Sequence, residues 1–280
     1  MKNNNSKCCI VIPVYKNQLN EYEILSLTQC CKILSNYHII FVTHKNLDCS
    51  EYNNICQANN ISYSYYYFKE KYFFNISGYN ALLLSKYFYK KFINYNYILI
   101  YQLDSYVFRD ELDYWCDKSF SYIGAPWLKL NKDNTLPEFA DPPSFGNGGF
   151  SLRNVNEFIK NHTFKINFII IFHLFHSFYN SLINKSKKNN FPKYFIRFFL
   201  YLFRYIILHF NFGSNNEDEV WANIFYRKGK LPPLPEAIKF SFEQYPEFLY
   251  QLNEAKLPFG CHNCFSYYNY SFLKDKMEDN

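Results

Sequence analysis

One long stretch of this chain has no acidic residues: between Phe158 and Asn216 there is no Asp or Glu, against eight Lys or Arg. The net charge of +6 therefore belongs to one segment, and the remainder is close to neutral. A nucleic-acid-binding protein would carry positive charge through its fold or on a recognition helix, so that class is excluded. Glycine and proline are scarce, 8 and 11 in 280 residues, which excludes fibrous and low-complexity architectures. No Gly-x-x-x-x-Gly-Lys-Ser/Thr loop occurs, so the phosphate cradle of a P-loop enzyme is missing. The apolar run Cys8 to Val14 is too short for a signal-peptide core, and the chain is expected to stay in the cytoplasm where it is made.

Cysteine is present without a pattern. Nine residues, an odd number scattered from Cys8 to Cys264, do not make a small disulfide framework, and reduced thiols are expected. Cys261 and Cys264 have zinc-like spacing, but no second pair shares it, so a structural zinc is not expected. With 49% apolar and 19% charged residues the chain is globular, and its length fits one domain over 1–280 with an insertion. The 22% aromatic content, together with abundant Asn, Lys and Ile, is what AT-rich codons produce and carries no functional weight alone.

Hydrophobic periodicity predicts alternating strands and helices. Cys8 to Val14 reads as a buried parallel strand ended near Pro13, Glu21 to Leu34 as a helix, and His38 to Thr43 as a second strand. Tyr63 to Phe68 is a further strand candidate, Ser77 an N-cap for a helix running to Phe92, and Tyr97 to Leu103 a strand with Asp104 at its end. That rhythm indicates an α/β sheet with parallel strands, whose ligands bind beyond the carboxyl ends of the strands. Gly146 to Arg153 then places three glycines in four positions, read either as a close backbone approach to a ligand or as a plain tight turn.

Residues 164–212 differ in kind. Two aromatic, apolar stretches, Phe168 to Ile183 and Tyr194 to Phe210, flank Lys185, Lys187, Lys188 and Lys193 and read as a helical hairpin. Arg197 and Arg204 would each cost about 2.5 to 3.5 kcal/mol at a bilayer centre, so an interfacial position on an anionic membrane is expected rather than a span. The alternative is a helical pair packed on the domain. His173 and His176 share one face of this segment and read as interface aromatics rather than ligands.

Three places in the chain could carry chemistry. Asp104 puts a carboxylate at the mouth of the sheet, either to hold a divalent metal or to cap the following turn. Asn216-Glu217-Asp218-Glu219 opens a helix with three acids, which complements the helix dipole and also offers Asp218 or Glu217 as a general base. His262, in the loop Leu257 to Cys264, could complete a metal site.

Val11 to Tyr15, Ser77-Gly-Tyr-Asn80, Tyr101 to Arg109, Ile123 to Trp127, Gly146 to Arg153, Asn216-Glu-Asp218 and Pro258 to His262, taken in order, resemble a bacterial family of unassigned function. That family is itself similar to GT-A glycosyltransferases of lipopolysaccharide and capsule biosynthesis, and the resemblance covers nearly all of the chain except 164–212. It implies a GT-A-like, Rossmann-type, mostly parallel sheet flanked by helices, with a helical insertion. It further implies a hexosyltransferase-like enzyme with a nucleotide-sugar donor and a glycan or lipid-linked acceptor, peripheral at the inner face of the plasma membrane. Pro13, Val14 and Tyr15 would line the nucleotide pocket, and Ser77, Asn80 and Asn147 would join Gly148 and Gly149 among the substrate-binding residues. Asp104 stands where the superclass carries its Asp-x-Asp motif, with His262 as the other ligand of a Mn or Mg ion. Tyr106 replaces the second acid, which leaves metal independence open. Asp218, with Glu217 beside it, would be the base of an inverting reaction. The rivals are a nucleotidyl or phosphoryl transferase and a non-catalytic binding or scaffold protein on a degenerate transferase fold.

Overall fold

The computed structural model describes residues 6–133, 137–142, 145–185, 201 and 216–278. The first apolar run forms β1 (Ser6–Pro13). Asn20 then exchanges hydrogen bonds with Glu23 in a capping box that starts α1 (Glu21–Ile33). β2 (Ile39–Thr43), α2 (Ser50–Ala58) and β3 (Tyr63–Tyr67) follow, each strand parallel to the one before.

The next helix departs from the expected single element capped by Ser77. Asn75 caps α3 (Ile76–Leu84) by accepting from the Gly78 amide at 3.1 Å. The helix stops at Ser85, whose hydroxyl donates to the Leu82 carbonyl at 2.7 Å and accepts from the Phe88 amide at 3.1 Å. A side chain thereby takes over the backbone ladder and starts α4 (Lys86–Lys90).

β4 (Tyr95–Tyr101) returns to lie parallel beside β1. The chain continues through β5 (Tyr106–Val107), α5 (Leu112–Asp117), β6 (Tyr122–Gly124), β7 (Leu128–Leu130), β8 (Pro137–Phe139) and β9 (Phe150–Asn154). The main sheet has the order β3-β2-β1-β4-β9-β6, parallel except for β9, which is antiparallel to both neighbours. The α/β, mostly parallel architecture expected from the sequence is therefore the observed one. Side chains alternate along β1: Ile10 and Ile12 enter the cluster with Leu27, Cys30 and Leu99, while Cys9 and Val11 enter the cluster with Leu82, Phe88 and Trp221.

After α6 (Val155–Asn161) comes the 22-residue helix α7 (Phe164–Lys185). Ile166, Ile169, Phe172 and His173 are buried, whereas Phe164, Phe168 and Ile171 are exposed. Ser77 Oγ and His176 Nδ1, 2.7 Å apart, and the bond from Asn75 Nδ2 to the Ser177 carbonyl tie this helix to α3. No helix among the described residues is long and apolar enough to cross a membrane. The expected second half of the hairpin, Tyr194 to Phe210, lies outside the described residues apart from Tyr201, as do Lys187, Lys188, Lys193, Arg197 and Arg204.

The chain closes with α8 (Glu217–Arg227), α9 (Leu234–Phe240), β10 (Ser241–Phe242), α10 (Pro246–Leu252), β11 (Gly260–Cys261) and α11 (Tyr267–Glu278). β10, β11 and β5 make a small second sheet, which brings the loop after β11 to the end of β4. One cysteine expectation is corrected: Cys261 and Cys264 are joined in a disulfide, and the other seven are free. Asn263, at φ 52°, turns the chain between them, and their Cα atoms stand 6.0 Å apart, within disulfide reach.

Candidate active site

In this strand order β2 and β4 lie on opposite sides of β1, so the connections leaving β1 and β4 part and leave a crevice at the carboxyl ends of these strands. A cleft of about 420 Å³ lies there, lined among others by Pro13, Val14, Tyr15, Tyr79, Gln102 and Asp104. Val14 is fixed by its amide, which donates to the Val42 carbonyl at 2.9 Å, while the Tyr15 ring is 63% exposed.

Asp104 follows β4 in a tight turn, and its carbonyl accepts from the Cys264 amide at 2.9 Å. His262 is held by its own amide, which donates to the Phe242 carbonyl at 2.9 Å. Its imidazole is surrounded by acceptors: Asp104 Oδ1 at 3.3 Å and Gln102 Oε1 at 3.2 Å from Nε2, and Glu243 Oε1 at 3.1 Å from Nδ1. Burial would lower the imidazole pKa, but the two carboxylates overcome it and push it up to about 10, so both nitrogens carry protons. Burial acts to raise the Asp104 carboxyl, and the hydrogen bond and charge of His262 hold it below its ordinary value.

The glycine loop leans on this wall. Asn147 Nδ2 donates to Glu243 Oε1 at 2.7 Å, Asn147 Oδ1 accepts from the Gly149 amide at 2.9 Å, and the Gly149 carbonyl accepts from the Gln102 amide at 2.9 Å. A Cβ on Gly149 would stand 2.0 Å from His262 Nε2, so the approach of backbone to imidazole requires glycine. At Gly148 a Cβ would meet Glu217 Oε1 at 2.5 Å.

Asp218 stands on the other side of the glycine pair, in the first turn of α8. Its Oδ2 accepts from the Gly148 amide at 3.2 Å and its Oδ1 from the Glu219 amide at 2.9 Å. Burial first and the neighbouring Glu217 charge second push its carboxyl up to about 7, against the opposing Glu219 amide and Arg153. Glu217 is 4% exposed, and both its oxygens accept from Arg153, at 2.9 and 2.8 Å.

The structure thus gathers Asp104, His262, Asn147, Gly148, Gly149 and Asp218 around one loop at the carboxyl edge of the sheet. Pro13, Val14 and Tyr15 line the adjoining cleft. Ser77 faces α7 through His176, and Asn80 is buried with Nδ2 3.4 Å from Asn216 Oδ1. Two residues that the sequence reading did not single out hold the arrangement: Glu243, which orients His262, and Arg153. No local pattern marks Glu243. Arg153 could have been found, because a cation inside the apolar strand Phe150-Ser-Leu-Arg requires a buried counter-charge, and Glu217 to Glu219 is a nearby supply. Among the described residues, no group of three or more His, Cys, Asp or Glu could hold a metal ion. Asp104 and His262 offer two donors.

Comparison with solved structures finds likeness to core-mannan synthase A from Aspergillus fumigatus in its Mn/GDP form, at 12% identity and TM-score 0.46 over 61% of this chain and 66% of that one. The WbbM bifunctional glycosyltransferase in its apo form is similar at 11% identity and TM-score 0.49, over 92% of this chain and 45% of that one. Mouse xyloside xylosyltransferase 1, also apo, is similar at 10% identity and TM-score 0.47, over 91% and 97%. This chain spans less than two thirds of the first two. No curated protein matches it. Residues 62–262, from the approach to β3 through His262, match the family model described as a protein of unknown function, DUF5672, and the chain belongs to that family.

Proposed function

We propose that this protein transfers a sugar from a nucleotide diphosphosugar to a hydroxyl acceptor, with inversion, and that Asp218 is the general base. The observation that carries the reading is the pairing of two unlike carboxyl sites across Gly148 and Gly149. One is charged and faces an imidazolium, and the other has a pKa of about 7. The cleft at the ends of β1 and β4 is where an α/β sheet binds a nucleotide. In the reaction the acceptor oxygen bonds to the anomeric carbon, the bond from that carbon to the diphosphate breaks, and the hydroxyl proton passes to Asp218. The Asp104–His262 wall receives the departing diphosphate.

Asp104, with His262 beside it, would hold a Mn or Mg ion that completes its shell with water and substrate phosphate, since such ions are bound through one or two carboxylates in that setting. Glu243 behind Nδ1 is the carboxylate that would orient a ligating histidine, and an ion would take Nε2 in place of the proton that nitrogen carries. When bound, the ion would offset negative charge on the leaving diphosphate.

A lipid-linked acceptor at an anionic membrane fits the exposed Phe164, Phe168 and Ile171 of α7 and the acid-free, basic stretch around it. The membership of lipopolysaccharide or capsule biosynthesis and the position at the inner membrane face belong to this same proposal.

The test is a panel of UDP-, GDP- and ADP-sugars, with and without Mn²⁺, read by thermal shift and by release of nucleoside diphosphate. A raised melting point and diphosphate release with one donor are expected. Turnover of nucleoside triphosphates instead would favour the nucleotidyl rival, and silence toward every donor would favour a binding protein.

A further inference from the structure

Behind the glycine pair lies an ion pair to which the proposed chemistry assigns no step. Arg153 on β9 is fully buried, and Glu217 in the first turn of α8 is 4% exposed. Beyond its two bonds to Glu217, Arg153 donates from Nη2 to the Gly148 carbonyl at 3.2 Å, from Nε to Ser151 Oγ at 3.0 Å and from Nη1 to Tyr89 Oη at 2.9 Å. Ser151 Oγ in turn donates to the Gly148 carbonyl at 2.9 Å. The rings of Tyr122 and Phe158 lie 5.3 and 5.6 Å from the guanidinium.

Stability alone is a weak reason for such a pair, because well-packed apolar residues of similar volume often serve a buried site as well or better. Its geometry offers a stronger one. Arg153 grips the carbonyl side of Gly148, and Glu217 anchors the turn of α8 that carries Asp218. Between these two grips runs the bond from the Gly148 amide to Asp218 Oδ2.

We propose that Arg153 and Glu217 are positioning residues, a buried clamp that sets where the Asp218 carboxylate stands against the Gly148 peptide. This rests on the reading of Asp218 as the base. The charged and titratable groups facing Asp218 are Glu217 and Glu219 on its own helix, Arg153 on β9 and Tyr122 on β6. Among them Glu217 is the main charge raising the carboxyl, and Arg153 opposes it.

The first test replaces the whole pair, Arg153→Met with Glu217→Met. The expected protein folds with a melting point at or above that of the wild type. Its kcat falls about 10²-fold, as for a misplaced reacting group, with KM for the donor unchanged. A folded double variant with wild-type kcat overturns the clamp. If the double variant does not fold, Glu217→Gln decides through carboxyl ¹³C NMR of Asp218. Its titration midpoint should drop below that of the wild type, and an unmoved midpoint overturns the proposal. That readout needs no turnover, so it stands apart from the base assignment, which full activity in Asp218→Asn would sink alone.

Discussion

Asp104 and Asp218 sit at the same edge of the same sheet, on either side of two glycines, and their surroundings treat them in opposite ways. Asp104 has a side chain half open to solvent and an imidazolium in front of it, so it keeps its charge. Asp218 is more enclosed and has Glu217 beside it, so its carboxyl holds a proton up to about pH 7. Arg153 offsets that repulsion only in part, and both of its Nη atoms donate to Glu217. Burial acts to raise both carboxyls, and the counter-charge that outweighs it at Asp104 has no equal at Asp218. Carboxyl groups whose pKa values are driven apart can take separate roles in one reaction.

The comparison breaks most sharply at Asp218. Asp218→Asn should lower turnover by about 10² to 10⁴-fold, measured as nucleoside diphosphate release. The same variant should leave donor-dependent thermal shifts intact, because the Asp104 wall is untouched. On the other side, Glu243→Gln should weaken Mn²⁺ binding by about 10 to 100-fold in calorimetry by releasing His262 from its orienting carboxylate. Equal loss of metal affinity in Asp218→Asn would erase the distinction between the two walls.

Gly149→Ala should cost about 1 to 3 kcal/mol of stability in denaturant titration, because the added methyl falls on His262. A further effect is on the pH profile of stability. Asp218 has a folded-state pKa near 7, raised from the ordinary 3.8, so the native state binds a proton that the unfolded chain releases in that window. The stability linked to it is present below the ordinary carboxylate range and lost as pH rises through about 7. Melting curves from pH 4 to pH 8 should therefore fall less steeply for Asp218→Asn than for the wild type, and parallel curves would refute the shift.

Strands β1, β2 and β4 were legible because they are buried on both faces and read as short apolar runs ended by polar turns. Cys8 to Val14 and Tyr97 to Leu103 are of that kind. Asp104 was legible for the same reason, as the first charge after such a run. The break at Ser85 was not, because a hydroxyl that takes over backbone hydrogen bonds leaves no gap in a run as apolar as Ala81-Leu-Leu-Leu84. Glu243 was invisible because its role depends on β10, β11 and β5 meeting across more than a hundred residues. The Cys261–Cys264 bond was missed because an odd cysteine count says nothing about which two sulfurs a turn at Asn263 brings face to face. Glu217 and Asp218 looked interchangeable in sequence, and only the burial of Arg153 separates them.

The reversed direction of β9 has a practical side. With its first residue at the edge where β1 and β4 finish, the polar machinery described above crowds one rim of the sheet, and the turns that lead into β2, β3 and β4 lie at the opposite rim. The turn at Asn59 and Asn60, which leads into β3, is one of these, and Asn60 is exposed with φ 56°. A tether or epitope grafted there could anchor the molecule to a bead or sensor with its cleft pointing outward.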